Sequence, residues 1–251
     1  MRFDFRKRLR DKERLAGTIV TLPCPQIAER LSHCGFDWLF IDGEHGPLSI
    51  GDIQLLLQAA QPRCSCLVRL AANGDVYIKQ ALDAGADGII APLVNDADTA
   101  QRVVALAKYP PQGSRSVGIG RAQAYGDGFA DYVARANDQV AVIIQVEHVD
   151  AVANIDAILD VSGIDGVFVG PYDLSASMGK PGRIDDVDVQ GQIETVRRAC
   201  SAHNVALGIF GLDAAAVRPF IDRGYTLLAV GMDTLFLGQS ARRVLSAVKE
   251  V

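Results

Sequence analysis

Eight short apolar runs recur along this chain, and a helix-like stretch follows most of them. The runs are Thr18–Leu22, Trp38–Ile41, Cys66–Leu70, Gly88–Pro92, Ala141–Val146, Gly166–Val169, Ala206–Phe210 and Leu227–Val230. Most are continuous and β-branched, the pattern of strands covered on both faces. Between them Ile50–Ala60, Asp75–Ala84, Ala97–Ala107, Ala151–Ile158, Val189–His203, Ala214–Asp222 and Thr234–Val251 mix apolar and polar positions at helical spacing. Gly85, Asn204 and Gly224 punctuate helix ends. This alternation predicts an α/β fold, a (β/α)8 TIM barrel, over an open doubly wound sheet. A dinucleotide-binding sheet would want GxGxxG after the first run, and Pro23-Cys-Pro25 stands there.

The 251 residues are 49% hydrophobic, enough for one large core, and no Pro/Ser-rich linker divides them. A single domain over residues 1–251 is expected. One connection is long: Tyr109 to Gln139 holds a helix-like piece, Phe129–Ala136, within otherwise irregular sequence. The rest, Pro110 through Gly128, suits a lid or a subunit contact, and substrate specificity is expected to depend on Tyr172 and on the loop around Arg115–Gly128, where Arg121 could meet a distal carboxylate of a substrate.

Net charge is −5, and no Lys/Arg cluster interleaves with aromatics, which argues against nucleic acid as a partner. No apolar run nears the roughly 18 residues that span a bilayer. The basic start, Met1 to Arg10, lacks the apolar stretch of a signal peptide, so a cytoplasmic protein is expected. Cys24, Cys34, Cys64, Cys66 and Cys200 show neither disulfide-framework nor zinc spacing and read as free thiols.

Polar residues stand just past several of the strands, where barrels of this kind carry their chemistry. Asp42, Glu44 and His45 follow the second run, Arg69 ends the third, Gln145 and Glu147 close the fifth, and Asp173 follows the sixth. Strand alternation puts Gln145 and Glu147 on one face and sends His148 toward the helices. Glu147 and Asp173 are the best metal ligands, and oxygen donors favour Mg2+ or Mn2+ over zinc. Arg69 offers a permanent charge and a planar fork for a carboxylate or enolate. His45 exchanges protons near neutral pH. Each has a plainer reading as well: Asp42 and Glu44 as helix caps, Arg69 as a structural ion pair, Glu147 as a rim salt bridge. His33 and His203 read as structural groups at helix ends.

Phe40-Ile-Asp-Gly-Glu-His-Gly-Pro47, Leu67-Val-Arg69, Ala81-Leu-Asp-Ala-Gly-Ala86, Tyr109-Pro-Pro-Gln-Gly-Ser-Arg115, Gln145-Val-Glu147 and Gly170-Pro-Tyr-Asp-Leu-Ser175 together resemble the HpcH/HpaI aldolase family. The resemblance implies a class II pyruvate aldolase that cleaves 4-hydroxy-2-oxo acids to pyruvate and an aldehyde through an enolate stabilised by a divalent metal (Mg2+ or Mn2+, with Co2+ admitted). It implies His45 as base, Arg69 as transition-state stabiliser, Glu147 and Asp173 as metal ligands, and Gln145 as a substrate-binding amide. Asp83, implied to raise the basicity of His45, takes that role from the resemblance alone. Tyr172 stands at a position often small in the family, where the backbone meets substrate. A hexamer or trimer with exchanged C-terminal helices is also implied, which would pack Thr234–Val251 on a neighbour.

Three rivals share parts of this reading. A Schiff-base aldolase needs a lysine at the barrel mouth, where Lys180 is the candidate. A citrate-synthase-like or oxaloacetate-decarboxylating enzyme would use the same enolate. A non-catalytic oxo-acid-binding barrel would lack one or more of the site groups.

Overall fold

The computed structural model describes residues 4–61 and 63–249. In chain order its elements are α1 (Phe5–Arg10), β1 (Leu15–Val20), α2 (Pro25–Ser32), β2 (Trp38–Asp42), α3 (Ile50–Ala60), β3 (Ser65–Arg69), α4 (Asp75–Asp83), β4 (Gly88–Ala91) and α5 (Ala97–Ala107). Then follow α6 (Phe129–Gln139), β5 (Ala141–Val146), α7 (Val149–Ala153), α8 (Ile155–Leu159), β6 (Gly166–Val169), α9 (Pro171–Ser177), α10 (Val187–Ala202), β7 (Ala206–Gly211), α11 (Ala214–Ile221), β8 (Leu227–Met232) and α12 (Asp233–Lys249). All eight strands pair in parallel in sequence order, and β8 returns to β1 to close the barrel. The (β/α)8 expectation holds. Glu250 and Val251, expected to extend the last helix, lie outside the described residues.

Two apolar layers explain the continuous strand runs. One fills the barrel: Leu15, Trp38, Phe40, Leu67, Ile143 and Phe168 are buried inside it. The other, with Leu39, Ile41, Val68, Ile144 and Val167, packs the strands against the helices. Each such side chain contributes roughly 1.5–3 kcal/mol on burial. Aromatic rings set the interior floor, with Phe40 and Phe168 edge to face at 5.5 Å and Trp38 stacked on Phe40 at 5.8 Å. Gly17 makes room for that floor: a Cβ there would stand 2.5 Å from the Trp38 indole.

α1 closes the N-terminal end of the barrel. Its Phe5 and Leu9 join the interior cluster, and Arg6 and Arg8 reach Asp165 and Asp37. Those two aspartates and Asp87 precede β6, β2 and β4. Each accepts a backbone N–H from the preceding strand, of Val142, Ala16 and Cys66 respectively. Their work is structural, at the end of the barrel opposite the strand C-termini.

Differences from the sequence expectation have local causes. β1 runs Leu15–Val20 rather than Thr18–Leu22, because the Asp233 carboxylate takes the N–H groups of Thr21 and Leu22 out of the ladder. α2 and α9 are not among the expected helices; Pro25 and Pro171 sit at their N-termini, where the missing N–H is harmless. The stretch expected as one helix over Ala151–Ile158 breaks at Asn154 into α7 and α8. The five cysteines are free, with Cys64, Cys66 and Cys200 buried. No helix among the described residues is long and apolar enough to cross a membrane.

Candidate active site

A cavity of about 570 Å³ opens at the C-terminal ends of the strands, above the Phe40–Phe168 floor. Asp42, His45, Arg69, Gln145 and Asp173 all line it, so the polar residues scattered along the sequence share one chamber. Glu147 lies against its wall, touching Gln145 and Gly170.

Asp42 ends β2 and is paired in register with Arg69 at the end of β3. The Arg69 guanidinium donates to Asp42 at 2.9 and 2.7 Å, stands 3.3 Å from Glu44 Oε2, and lies 5.2 Å over the Phe40 ring. Asp42 also accepts the backbone N–H groups of Glu44 and His45, which folds the turn that presents His45. Burial pushes the Asp42 carboxyl up, but Arg69 and the two N–H groups outweigh it and hold it below its ordinary value. Glu44 goes the other way: burial raises it, and the charges of Glu147 and Asp42 add to that despite Arg69. Neither residue caps α3, since Ser49 and Asp52 form its capping box. His45 projects outward with its side chain 63% exposed and its Nε2 3.9 Å from Glu44.

The opposite wall comes from β5 and β6. β5 ends at Val146, and the Gln145 amide donates to Glu147 Oε2, so the expected shared face is present. The Leu93 N–H donates to Glu147 Oε1 at 2.7 Å, with Leu93 in the left-handed region at φ 53°. That conformation is uncommon for a bulky residue, and it aims the N–H at the carboxylate. Gly170 lets the two strand ends approach: a Cβ there would lie 3.0 Å from Glu147 Cβ. Asp173 sits in the first turn of α9, where a carboxylate also favours the helix. Burial and the nearby Asp173 charge raise Glu147, against the hydrogen bonds from Gln145 and Leu93. Gln145 Oε1 is buried with no hydrogen-bond partner among the described residues. Two mutually repelling carboxylates beside an unpartnered amide oxygen form a donor set that a hard divalent cation fits. Among the described residues no larger set of His, Cys, Asp or Glu gathers around a cation-sized space.

The other residues singled out in the sequence lie as follows. His148 caps α7 by accepting the Asp150 N–H. Tyr172 lines the cavity and is 41% exposed, and its carbonyl accepts the Ser175 hydroxyl. Asp83 ends α4 at the N-terminal side of the barrel, where Arg115 binds it at 2.7 Å, far from His45 of the same chain. The segment from Tyr109 packs there too. Arg115 is buried between Tyr109 and Tyr132, and Arg121 donates to Gln61 and the Ala84 carbonyl. It is therefore no lid over its own barrel mouth, because the buried Arg115 charge ties it to Asp83. Lys180 is paired with Asp186 and Asp188. Lys108, which burial pushes down to about 8, donates to the Asn137 and Val140 carbonyls at the wrong end of the barrel for a Schiff base.

Sequence reading missed Asp233, which is buried at the start of α12. It accepts the N–H groups of Thr21 and Leu22 and the Thr21 hydroxyl, fixing another wall of the cavity. Its signal was the one that found the others: a carboxylate just past a strand.

Known proteins resemble this chain over most of its length. A 2-keto-3-deoxy-L-rhamnonate aldolase of Klebsiella pneumoniae is 41% identical over 98% of this chain and 92% of its own. A 4-hydroxy-2-oxo-heptane-1,7-dioate aldolase of Salmonella enteritidis is 43% identical over 85% of this chain and 82% of its own. The crystal structure of a HpcH/HpaI aldolase/citrate lyase family protein from Burkholderia cenocepacia superposes with a TM-score of 0.94 at 38% identity, covering 98% of both chains. Residues 17–239, from the first strand into the last helix, match the family model described as HpcH/HpaI aldolase/citrate lyase, and the chain is a carbon–carbon lyase of that family.

Proposed function

We propose that this enzyme is a divalent-metal-dependent class II aldolase that cleaves 4-hydroxy-2-oxo acids reversibly to pyruvate and an aldehyde. The observation that carries the reading is the arrangement of one cavity: an Asp42-held guanidinium on one wall and the Gln145–Glu147–Asp173 group on the other. Glu147 and Asp173 would hold Mg2+, Mn2+ or Co2+, which supplies Lewis-acid charge to stabilise electron density at the substrate keto oxygen.

The remaining work falls to the chain's own side chains. Arg69, pre-oriented by Asp42, binds the oxo-acid oxygens with its remaining N–H groups. Gln145 orients the same end. Tyr172 contributes a main-chain N–H from the first turn of α9, where such groups lack intrahelical acceptors. His45 takes the proton of the C4 hydroxyl; the C3–C4 bond breaks, the aldehyde departs, and the bond electrons form the enolate. Protonation of that enolate at C3 gives the pyruvate methyl group.

Asp83 and His45 occupy opposite ends of one barrel, so the role read for Asp83 requires a second copy of the chain. The reading therefore includes a homo-oligomer, hexamer or trimer. The exposed apolar side chains of Leu237, Val244, Leu245 and Val248 on α12 support it.

The test is pyruvate release from a panel of 4-hydroxy-2-oxo acids before and after EDTA. Loss on chelation and recovery with Mg2+ or Mn2+ are expected. Undiminished turnover by metal-free enzyme would defeat the metal assignment. Product mass distinguishes cleavage from citrate-type condensation or decarboxylation of oxaloacetate.

A further inference from the structure

The two oxygens of the Asp83 carboxylate stand in unlike surroundings. Oδ1 is tied inward: Arg115 Nη2 donates to it at 2.7 Å and Gln123 Nε2 at 3.4 Å. Oδ2 accepts no hydrogen bond among the described residues, and the side chain that carries it is 24% exposed. Gly118 leaves that second oxygen open, since a Cβ there would stand 3.3 Å from it.

The inward grip is built rather than incidental. The Arg115 side chain is fully buried, with its guanidinium 4.6 and 5.5 Å from the Tyr109 and Tyr132 ring centres and its Nη1 donating to the Tyr132 hydroxyl at 3.1 Å. A cation so buried is costly unless it is paired, and Asp83 is the carboxylate that pairs it. Gln123 is buried too, accepting the Gly120 N–H and donating to the Tyr109 hydroxyl. The Ala122 N–H donates to the Asp83 carbonyl, so the carboxylate and the segment beside it are fixed together. Val117 and Ile119, on either side of Gly118, expose their apolar side chains, which suits contact with another protein surface.

Resting on the reading that Asp83 serves His45 of a second copy, we infer that Arg115 is a positioning residue for that copy's site. It fixes Oδ1 so that Oδ2 is offered to the neighbouring imidazole in one place. Its effect is on proton removal at the neighbour's barrel mouth, not at its own.

The experiment mixes copies of the metal-loaded enzyme. A site that takes His45 from one copy and the Asp83–Arg115 pair from another is restored when differently impaired copies assemble together. His45→Asn chains are co-assembled in equal amounts with Asp83→Asn chains, and separately with Arg115→Met chains. In a random mixture about one site in four draws both parts from unaltered positions, so each mixture should reach about a quarter of parental turnover. Arg115→Met alone should lower kcat about 10–100-fold while pyruvate binding, followed by calorimetry, persists. In the Asp83→Asn background it should cost no more than about a further twofold, because it acts through that carboxylate. Should Arg115→Met fail to fold, Arg115→Lys, which keeps the charge, takes its place, with a smaller loss that is again relieved on mixing. Restoration with Asp83→Asn chains but not with Arg115 variants would overturn the inference alone, as would full additivity of the two substitutions. Absence of restoration in both mixtures would overturn the cross-copy reading and the inference with it.

Discussion

Asp42 holds Arg69 in a two-point fork, with Nε 2.9 Å from Oδ1 and Nη2 2.7 Å from Oδ2, at the adjoining ends of β2 and β3. The same carboxylate accepts the His45 N–H, so one side chain positions both the cation and the imidazole of the site. Asp42→Asn keeps the shape but loses the charge and half of the fork. Expected are a loss of about 3 kcal/mol in urea unfolding, typical of breaking a buried pair, and a fall in kcat/KM of about 100-fold. Arg69→Lys should lose similar activity, because an ammonium cannot fill both contacts. An Asn variant with parental unfolding midpoint and turnover would refute the positioning role.

Glu147 shows the opposite balance. It is buried beside Asp173, and its charge costs folding energy when no cation is bound. Glu147→Gln should therefore make the metal-free protein more stable, by about 1 kcal/mol, while abolishing metal-dependent turnover. The parent should gain more in Tm from Mn2+ than this variant does. Equal gains would argue against Glu147 as a ligand.

His45 is exposed and contributes little packing. His45→Asn should change stability by no more than about 0.5 kcal/mol and lower kcat by about 10²–10⁴-fold. Pyruvate binding, followed by calorimetry with metal present, should persist. Loss of pyruvate binding together with turnover would make His45 a binding group instead.

Lys108 predicts a pH effect away from the site. Burial lowers its ammonium from 10.5 to about 8, so between those values the unfolded chain binds more protons than the folded one. Stability from this group accordingly rises with pH across that window, by at most about 1.4 kcal/mol per pH unit. Below about 8 the burial penalty is fully present. The difference in unfolding free energy between parent and Lys108→Met should move toward the parent from pH 8 to 10. A flat difference would show the lysine charged in the folded state.

Gly17→Ala tests the barrel floor. The added methyl would meet Trp38 at 2.5 Å and should cost about 1–3 kcal/mol. Trp38→Phe in the same chain should return part of that loss, and strict additivity in the double-mutant cycle would place the clash elsewhere.

The fold was largely legible because strands covered on both faces must be apolar throughout, and eight such runs alternating with helices leave few topologies. What was not legible depended on neighbours distant in sequence. β1 ends at Val20 because Asp233 takes the next two N–H groups, and nothing near Thr21 announces that. α2 and α9 were missed because Pro25 and Pro171 start helices as readily as they break them. Asp83 looked ordinary in sequence, and the structure pairs it with a buried arginine at the far end of the barrel.

By itself the sequence determined which residues stand past the strands, and hence that Asp42, His45, Arg69, Gln145, Glu147 and Asp173 gather at one end: strand direction and barrel closure leave polar strand-end groups nowhere else to converge. Only the tertiary structure decided which of them hold one another, and which carboxylate is relieved of its burial cost and which is not. Those outcomes depend on distances and desolvation among groups as much as 212 residues apart, such as Thr21 and Asp233, and no local pattern encodes them.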